Sequence, residues 1–126
     1  MDIIFIIGRI VVGLFFINSG VMHFLKWDNM VGYSKSKNIP LPAVAVGVTG
    51  LMMIAGGLGL LFWKFVGIAA LLLAVFLVPA AFLMHAFWKE QDQAQKGAEM
   101  INFLKNIALA GALGIIAAMY YQMGGM

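Results

Sequence analysis

The sequence predicts an all-α integral membrane protein, a bundle of four transmembrane helices, on three observations. Of its 126 residues, 63% are hydrophobic and only 10% are charged, whereas soluble domains carry roughly 25% charged residues. Four apolar segments each approach the ~20 residues that a helix needs to cross a bilayer. Polar residues gather between these segments. We therefore expect one membrane domain, 1–126, with spans at 3–25, 43–63, 65–87 and 100–122.

The first span has one face that combines glycines with polar residues, at 100° per residue. Glycine permits close approach of a neighbouring helix, so this face is predicted to point into the bundle and to serve helix packing, together with Gly57 of the second span. Asn18 projects to the opposite face. Unless the helix is locally over- or underwound, we expect Asn18 to contact a protein partner or a second copy. The inward face carries Arg9, Gly13, Phe16, Gly20 and His23.

The three connections differ in character. "WKFVG" is short and predicts a tight hairpin between the second and third spans, with Lys64 at its turn. "KWDNMVGYSKSKNIPLP" places Trp27, Met30 and Val31 at helical spacing, which predicts a short amphipathic helix at the membrane interface. Pro42 is suited to begin the second span. "KEQDQAQKGAE" is polar and helix-prone, and it is predicted to be a solvated linker.

The distribution of basic residues predicts the orientation. The side that carries the two longer loops has six lysines, and the other side has only Lys64 and Arg9. The positive-inside rule then places the longer loops in the cytoplasm and both termini outside. The six lysines are Lys26, Lys35, Lys37, Lys89, Lys96 and Lys105.

The same end of the bundle collects polar and aromatic side chains from three spans. Such a set is suited to a pocket with a polar floor, aromatic walls and a cationic rim, which would accept a quinone head group, a lipid phosphate or a small anion. A structural interpretation stands beside it: the histidines bond backbone carbonyls, and the lysine snorkels to the interface. The candidate ligand-binding residues are His23, His85, Trp88, Lys105 and Asn106.

Several chemistries have no support in the sequence. Cysteine is absent, which excludes disulfides and thiol chemistry from this chain alone. Two histidines without a carboxylate at the same membrane level fall short of a metal site. The predicted spans contain no Asp or Glu, so a carboxylate acid–base pair is not expected. No basic cluster indicates nucleic-acid binding, and no pattern identifies a catalytic residue.

The order of motifs along the whole chain resembles the DoxX family. The matching stretches are "GRIVVGLFFINSGVMHF", "IPLP", "GLMMIAGGLGLL", "FLMHAFW" and "FLKNIALAGALG". The resemblance implies a four-helix protein of the bacterial or archaeal inner membrane. Some relatives are membrane subunits of thiosulfate:quinone oxidoreductase, and others resemble partners of thiol- or superoxide-detoxifying enzymes. The family pattern carries over to Arg9, Gly13, Phe16, Gly20, His23, Gly57, His85, Phe87, Trp88, Phe103, Lys105 and Asn106.

The chain departs from the family pattern at Met53, near where relatives often have a glutamate, so Arg9 lacks an obvious counter-ion. Three functions therefore remain open. The chain is a redox-linked, quinone-associated subunit, a non-catalytic accessory subunit of a larger membrane complex, or a binder of lipid or another small apolar ligand. We expect no intrinsic cofactor apart from quinone. The expected partners are membrane lipids and either a protein partner or further copies of the chain.

Overall fold

The computed structural model describes residues 2–124, and these fold into five α-helices and a short 3₁₀ turn, Phe87–Lys89. Within that range there is no β-strand, and four of the helical segments are long and apolar enough to cross a membrane. The predicted fold class is therefore confirmed, including the short helix between the first two spans. The helices are α1 (Ile3–Leu25), α2 (Trp27–Ser36), α3 (Pro42–Phe62), α4 (Val66–Met84) and α5 (Gln93–Gln122).

Local signals in the sequence explain several of the helix ends. The carboxylate of Asp2 accepts a hydrogen bond from the Ile4 amide at 3.0 Å and caps α1. Asp92 caps α5 in the same way through the Gln95 amide, also at 3.0 Å. Capping matters because the first amides of a helix have no partner within the helix. Pro42 stands in the first turn of α3, where its missing N–H costs little.

Helices α1 and α3 pack at backbone distance along glycine pairs. A Cβ at Gly13 would lie 2.9 Å from the Gly57 carbonyl oxygen, and one at Gly57 would lie 2.8 Å from the Gly13 carbonyl oxygen. Nearer the loops, a Cβ at Gly20 would lie 2.7 Å from the Gly50 carbonyl oxygen. Because any side chain would force the helices apart, the glycines set the distance between them.

The bundle consists of two helix pairs, α1 with α3 and α4 with α5, which meet along α3 and α4. At that junction a Cβ at Gly56 would lie 2.5 Å from the side chain of Leu73, so α4 fits closely over a glycine of α3. Towards the loops the two pairs are separated by a cavity. The largest fully buried side chains of the core are Phe16, Leu60, Val66, Leu73 and Leu113.

Two helix ends differ from the ends of the predicted spans, and both differences bear on the site. The third span was expected to remain helical to residue 87, but α4 ends at Met84 because His85 leaves the helical conformation (φ −120°, ψ 42°). The polar, helix-prone linker was expected to extend to Glu99, but α5 already begins at Gln93. A helix that starts before the membrane brings its first turns, including Glu99, against the rest of the protein.

Candidate functional site

Glu99 is the centre of a polar cluster at the loop end of the bundle. It lies in the second turn of α5 and is 5% exposed. One carboxylate oxygen, Oε2, accepts hydrogen bonds from Lys37 Nζ at 2.7 Å and Tyr33 Oη at 2.8 Å. The other, Oε1, accepts from His85 Nδ1 at 3.2 Å and Asn102 Nδ2 at 3.3 Å. All four acceptor positions of the buried carboxylate are thereby used.

This cluster links α2 to α5 and to the end of α4. Tyr33 lies in α2, and Lys37 follows its last turn. Lys37 also contacts Glu90, in the α4–α5 connection, at 3.0 Å. Three donors come from outside α5: Tyr33 of α2, Lys37 just after it and His85 at the end of α4. Because the acceptors lie on α5 and in the connection before it, the cluster closes the loop end of the bundle.

The two donors on the α2 side keep their protons over the physiological range. Burial and the hydrogen bond to Glu99 raise the pKa of Tyr33 to about 12. Burial alone would lower the pKa of Lys37, but its hydrogen bonds to Glu99 and Glu90 outweigh that effect and raise it. The phenol and the ammonium therefore both remain donors to Glu99 at neutral pH.

Sequence reasoning missed Glu99, Tyr33, Lys37 and Glu90 as members of this site. One signal was available. At 100° per residue, Glu99 and Asn106 fall within about 20° of each other on a helix, so a fourth span extended by two turns would have put a carboxylate on the face of Asn106. The statement that no carboxylate lies at the level of the histidines is wrong, since His85 contacts Glu99 directly.

A cavity of about 510 Å³ lies behind the cluster, between the two helix pairs. This volume is within the range of small-molecule sites, ~300–1,000 Å³. Its walls are mostly apolar and come from all five helices. Its polar lining comprises Ser19, His23, Tyr33, Ser34, Thr49, His85, Lys105 and Asn106, and its bulkier apolar lining includes Phe15, Phe16, Met30, Met52, Met53, Phe76 and Met84.

Four of the five predicted ligand-binding residues line this cavity. His23 donates from Nδ1 to the Ser19 carbonyl oxygen at 2.9 Å, as the structural interpretation expected, and its ring still borders the cavity. His85 borders it next to Glu99. Asn106 is 6% exposed and borders the cavity. An amide at a cavity wall can donate a hydrogen bond to a ligand oxygen.

Lys105 lies at the edge of the cavity, where α5 approaches α1. Its ammonium is 5.9 Å from the centre of the Phe15 ring, which is within the range of a cation–π contact. The side chain is otherwise exposed. Lys105 is therefore positioned as a rim residue rather than as part of the buried floor.

Trp88, the fifth predicted residue, does not line the cavity. It belongs to the 3₁₀ turn that follows the end of α4, and it is 48% exposed. There it packs on Phe82, Phe87 and Phe103, with ring centres 5.2–6.2 Å apart. The early end of α4 turns this ring to the outside of the bundle, so the predicted aromatic wall is replaced by Phe15, Phe16 and Phe76.

Arg9 and Met53 show the consequence of the departure from the family pattern. Met53 is 6% exposed and packs in the core. Arg9 lies over the Phe5 ring at 5.6 Å, and its Nε is buried without a hydrogen-bond partner among residues 2–124. It does not border the cavity. In the described part of the chain, no three His, Cys, Asp or Glu side chains come close enough to hold a metal ion.

Asn18 lies on the exposed surface of α1, opposite the glycine face. Its neighbours on that surface are the exposed apolar side chains Ile7, Val11, Leu14 and Val21. The predicted orientation of Asn18 thus agrees with the structure, and its partner stays a prediction.

Comparison with known proteins places the chain in a family. The sequence model of the DoxX family matches residues 4–86. The chain is also 30% identical, over 115 residues, to the inner membrane protein YphA of Escherichia coli K12. That alignment covers 91% of this chain and 81% of YphA. No solved structure matches the chain significantly. With four membrane-spanning segments and a family match that covers about two thirds of its length, the chain is a multi-pass membrane protein that belongs to the DoxX family.

Proposed function

We propose that this protein is a quinone-binding subunit of the inner membrane, with the cavity between the two helix pairs as the binding site. The observation that carries the proposal is the composition of that cavity: apolar walls at membrane depth, with buried and rim polar groups at one end. A quinone has the matching properties, an apolar ring and tail with two carbonyl oxygens that accept hydrogen bonds. The volume of about 510 Å³ suits such a ring with part of its tail.

Asn106 and Lys105 are the donors assigned to the quinone carbonyls. Asn106 is buried and borders the cavity, so its amide can donate a hydrogen bond to a ligand oxygen. The Lys105 ammonium at the rim would strengthen a hydrogen bond to an oxygen that gains negative charge on reduction. Neither residue contacts Glu99, so both can be changed without opening the polar cluster.

The first prediction concerns these two donors. The variant that combines Lys105→Ala with Asn106→Leu should bind decylubiquinone at least tenfold more weakly than the wild type, because two hydrogen bonds of about 1 kcal/mol or more are lost. Equilibrium dialysis of the protein in detergent micelles measures this. The control is Lys26→Ala with Lys89→Ala, which removes two exposed lysines outside the cavity. Equal binding by all three proteins would refute the proposed site.

The binding proposal is distinguished from simple lipid binding by the same measurement. If the cavity binds acyl chains without regard to the head group, the amount of lipid retained after detergent washing should not depend on Asn106. Quinone that is displaced by phospholipid, with no effect of the Asn106 change, would favour the lipid-binding function.

We propose further that the two longer loops lie in the cytoplasm and both termini outside, as six lysines against Lys64 and Arg9 suggest. The absence of cysteine makes the test direct. In intact cells a membrane-impermeant maleimide should label Lys64→Cys but not Lys96→Cys, whereas both should react in opened membranes. The reverse labelling pattern would invert the topology.

An accessory role in a larger complex is the second candidate, and Asn18 favours it. An amide on the exposed, otherwise apolar surface of α1 is costly in lipid, and a neighbouring helix would satisfy it. Asn18→Leu should therefore reduce co-purification of a membrane partner or further copies, while Val11→Leu on the same surface should not. If the partner is retained in both variants, Asn18 is not at the interface.

A further inference from the structure

Two histidines border the cavity, and in both of them Nδ1 is already engaged by a group that only accepts hydrogen bonds. His23 Nδ1 faces the Ser19 carbonyl oxygen at 2.9 Å, and His85 Nδ1 faces Glu99 Oε1 at 3.2 Å. Because carbonyl and ionised carboxylate oxygens cannot donate, Nδ1 carries the hydrogen in each ring. The hydrogen bond at one ring nitrogen decides what the other can do. In the neutral ring, Nε2 is then an acceptor, and both rings belong to residues that border the cavity.

We infer that the cavity recognises the reduced, hydroxyl-bearing form of its ligand, a hydroquinone, through His85, and that Glu99 is the positioning residue that gives His85 this role. The inference rests on the proposed quinone-class ligand and adds which form is preferred. A quinone offers only acceptors, which suit Asn106 and Lys105. A hydroquinone also offers two O–H donors, which suit Nε2 of His85 and of His23.

The position of Glu99 explains why its charge matters for His85. Lys37 Nζ can only donate, and it lies 2.7 Å from Oε2. The same carboxylate presents its other oxygen to His85 and Asn102. If residue 99 were glutamine, its single carbonyl oxygen would be held by Lys37, and its NH₂ group would face His85. An NH₂ group donates to Nδ1, which moves the ring hydrogen to Nε2 and converts the cavity side of His85 from acceptor to donor.

Other charged or titratable groups around His85 do not reproduce this effect. Tyr33 of α2 and Lys37 just after it reach the opposite oxygen of Glu99, and Glu90 contacts only Lys37 among the cluster's members. His23 is held by its own helix, and Lys105 is directed to the Phe15 ring. Glu90→Gln therefore removes one carboxylate charge from the same cluster while the His85–Glu99 contact is kept, which makes it a matched control.

The test uses three probes that share one ring: trimethyl-1,4-benzoquinone, trimethylhydroquinone and the dimethyl ether of trimethylhydroquinone. Binding is measured by anaerobic calorimetry at pH 8 with the full-length protein in detergent. In the wild type and in Glu90→Gln, the hydroquinone should bind roughly tenfold more tightly than its ether, as expected for a donor matched to an acceptor. In Glu99→Gln this ratio should fall to about one or below.

A spectroscopic readout separates positioning from general loss of structure. In the wild type, ¹⁵N NMR of His85 should show the hydrogen on Nδ1, and in Glu99→Gln it should show it on Nε2. Failure of the benzoquinone to bind the wild type would overturn the proposed function itself. Benzoquinone binding with equal affinity for hydroquinone and ether in the wild type, or an unchanged ratio in Glu99→Gln, would overturn only the present inference.

Discussion

Gly57→Ala should cause a large loss of stability for the addition of a single methyl group. The added Cβ would lie 2.8 Å from the Gly13 carbonyl oxygen and 2.9 Å from the Ile17 amide nitrogen. Both are backbone atoms of α1, so no rotamer change relieves the clash, and α1 must move away from α3. Since overpacking costs 1–3 kcal/mol and sometimes more, we expect the free energy of unfolding to fall by about 3 kcal/mol.

Gly111 provides the control for this prediction. It lies on the exposed surface of α5, and a Cβ there would meet nothing within 4 Å. Gly111→Ala should leave stability unchanged or raise it slightly, because alanine has the higher helix propensity. Reversible unfolding in mixed micelles at increasing SDS, followed by circular dichroism, measures both variants. If Gly57→Ala lost no more stability than Gly111→Ala, the glycine contacts would not set the helix distance.

Glu99→Leu is expected to cause the second large loss of stability, because Lys37 and His85 lose the carboxylate that they contact. Lys37 is 14% exposed at its side chain and His85 18%, and both point at the carboxylate. Removing one member of a buried ion pair typically costs about 3–5 kcal/mol, because the other charge stays buried without a partner. We expect a loss near the lower bound, since Glu90 still contacts Lys37 at 3.0 Å.

A double-mutant cycle identifies the cause of that loss. Combining Glu99→Leu with Lys37→Met removes both charges, and replacing a whole buried pair by apolar groups is often nearly neutral. The double variant should therefore be more stable than Glu99→Leu alone. Hydrogen exchange should also show α2 losing protection in Glu99→Leu, because Tyr33 and Lys37 are its contacts with α5. A double variant less stable than the single one would contradict an ion-pair origin.

These two predictions differ in how far the sequence anticipates them. The glycine face of α1 follows from helical periodicity and small side chains alone, because a glycine-lined helix face has few uses in lipid other than close packing. The role of Glu99 does not follow in this way. Its donors Tyr33 and Lys37 are 66 and 62 residues away along the chain, so only the folded arrangement brings them together.

The candidate cavity was predictable from the sequence only in part. His23, His85, Lys105 and Asn106 were predicted from membrane level alone, and all four border one cavity. Level along the membrane normal can be counted from the sequence, because a helix rises 1.5 Å per residue. The face of the bundle on which a side chain near a helix end lies depends on whether the helix continues that far. Trp88 was misplaced for that reason, since α4 ends at Met84 and the following turn redirects the ring.

The sequence by itself determined that most of the chain lies in lipid, the number of its membrane-spanning helices, the glycine faces along which α1 and α3 pack, and its membership of the DoxX family. The first three depend on local composition or periodicity, and the last on the match of its motifs to the family pattern. The tertiary structure alone decided that the polar segment before Met100 is the start of α5, that one carboxylate joins α2 to the end of α4, and that the two histidines, each bonded through Nδ1, border one cavity. These depend on contacts between distant segments, whose energies no local pattern encodes.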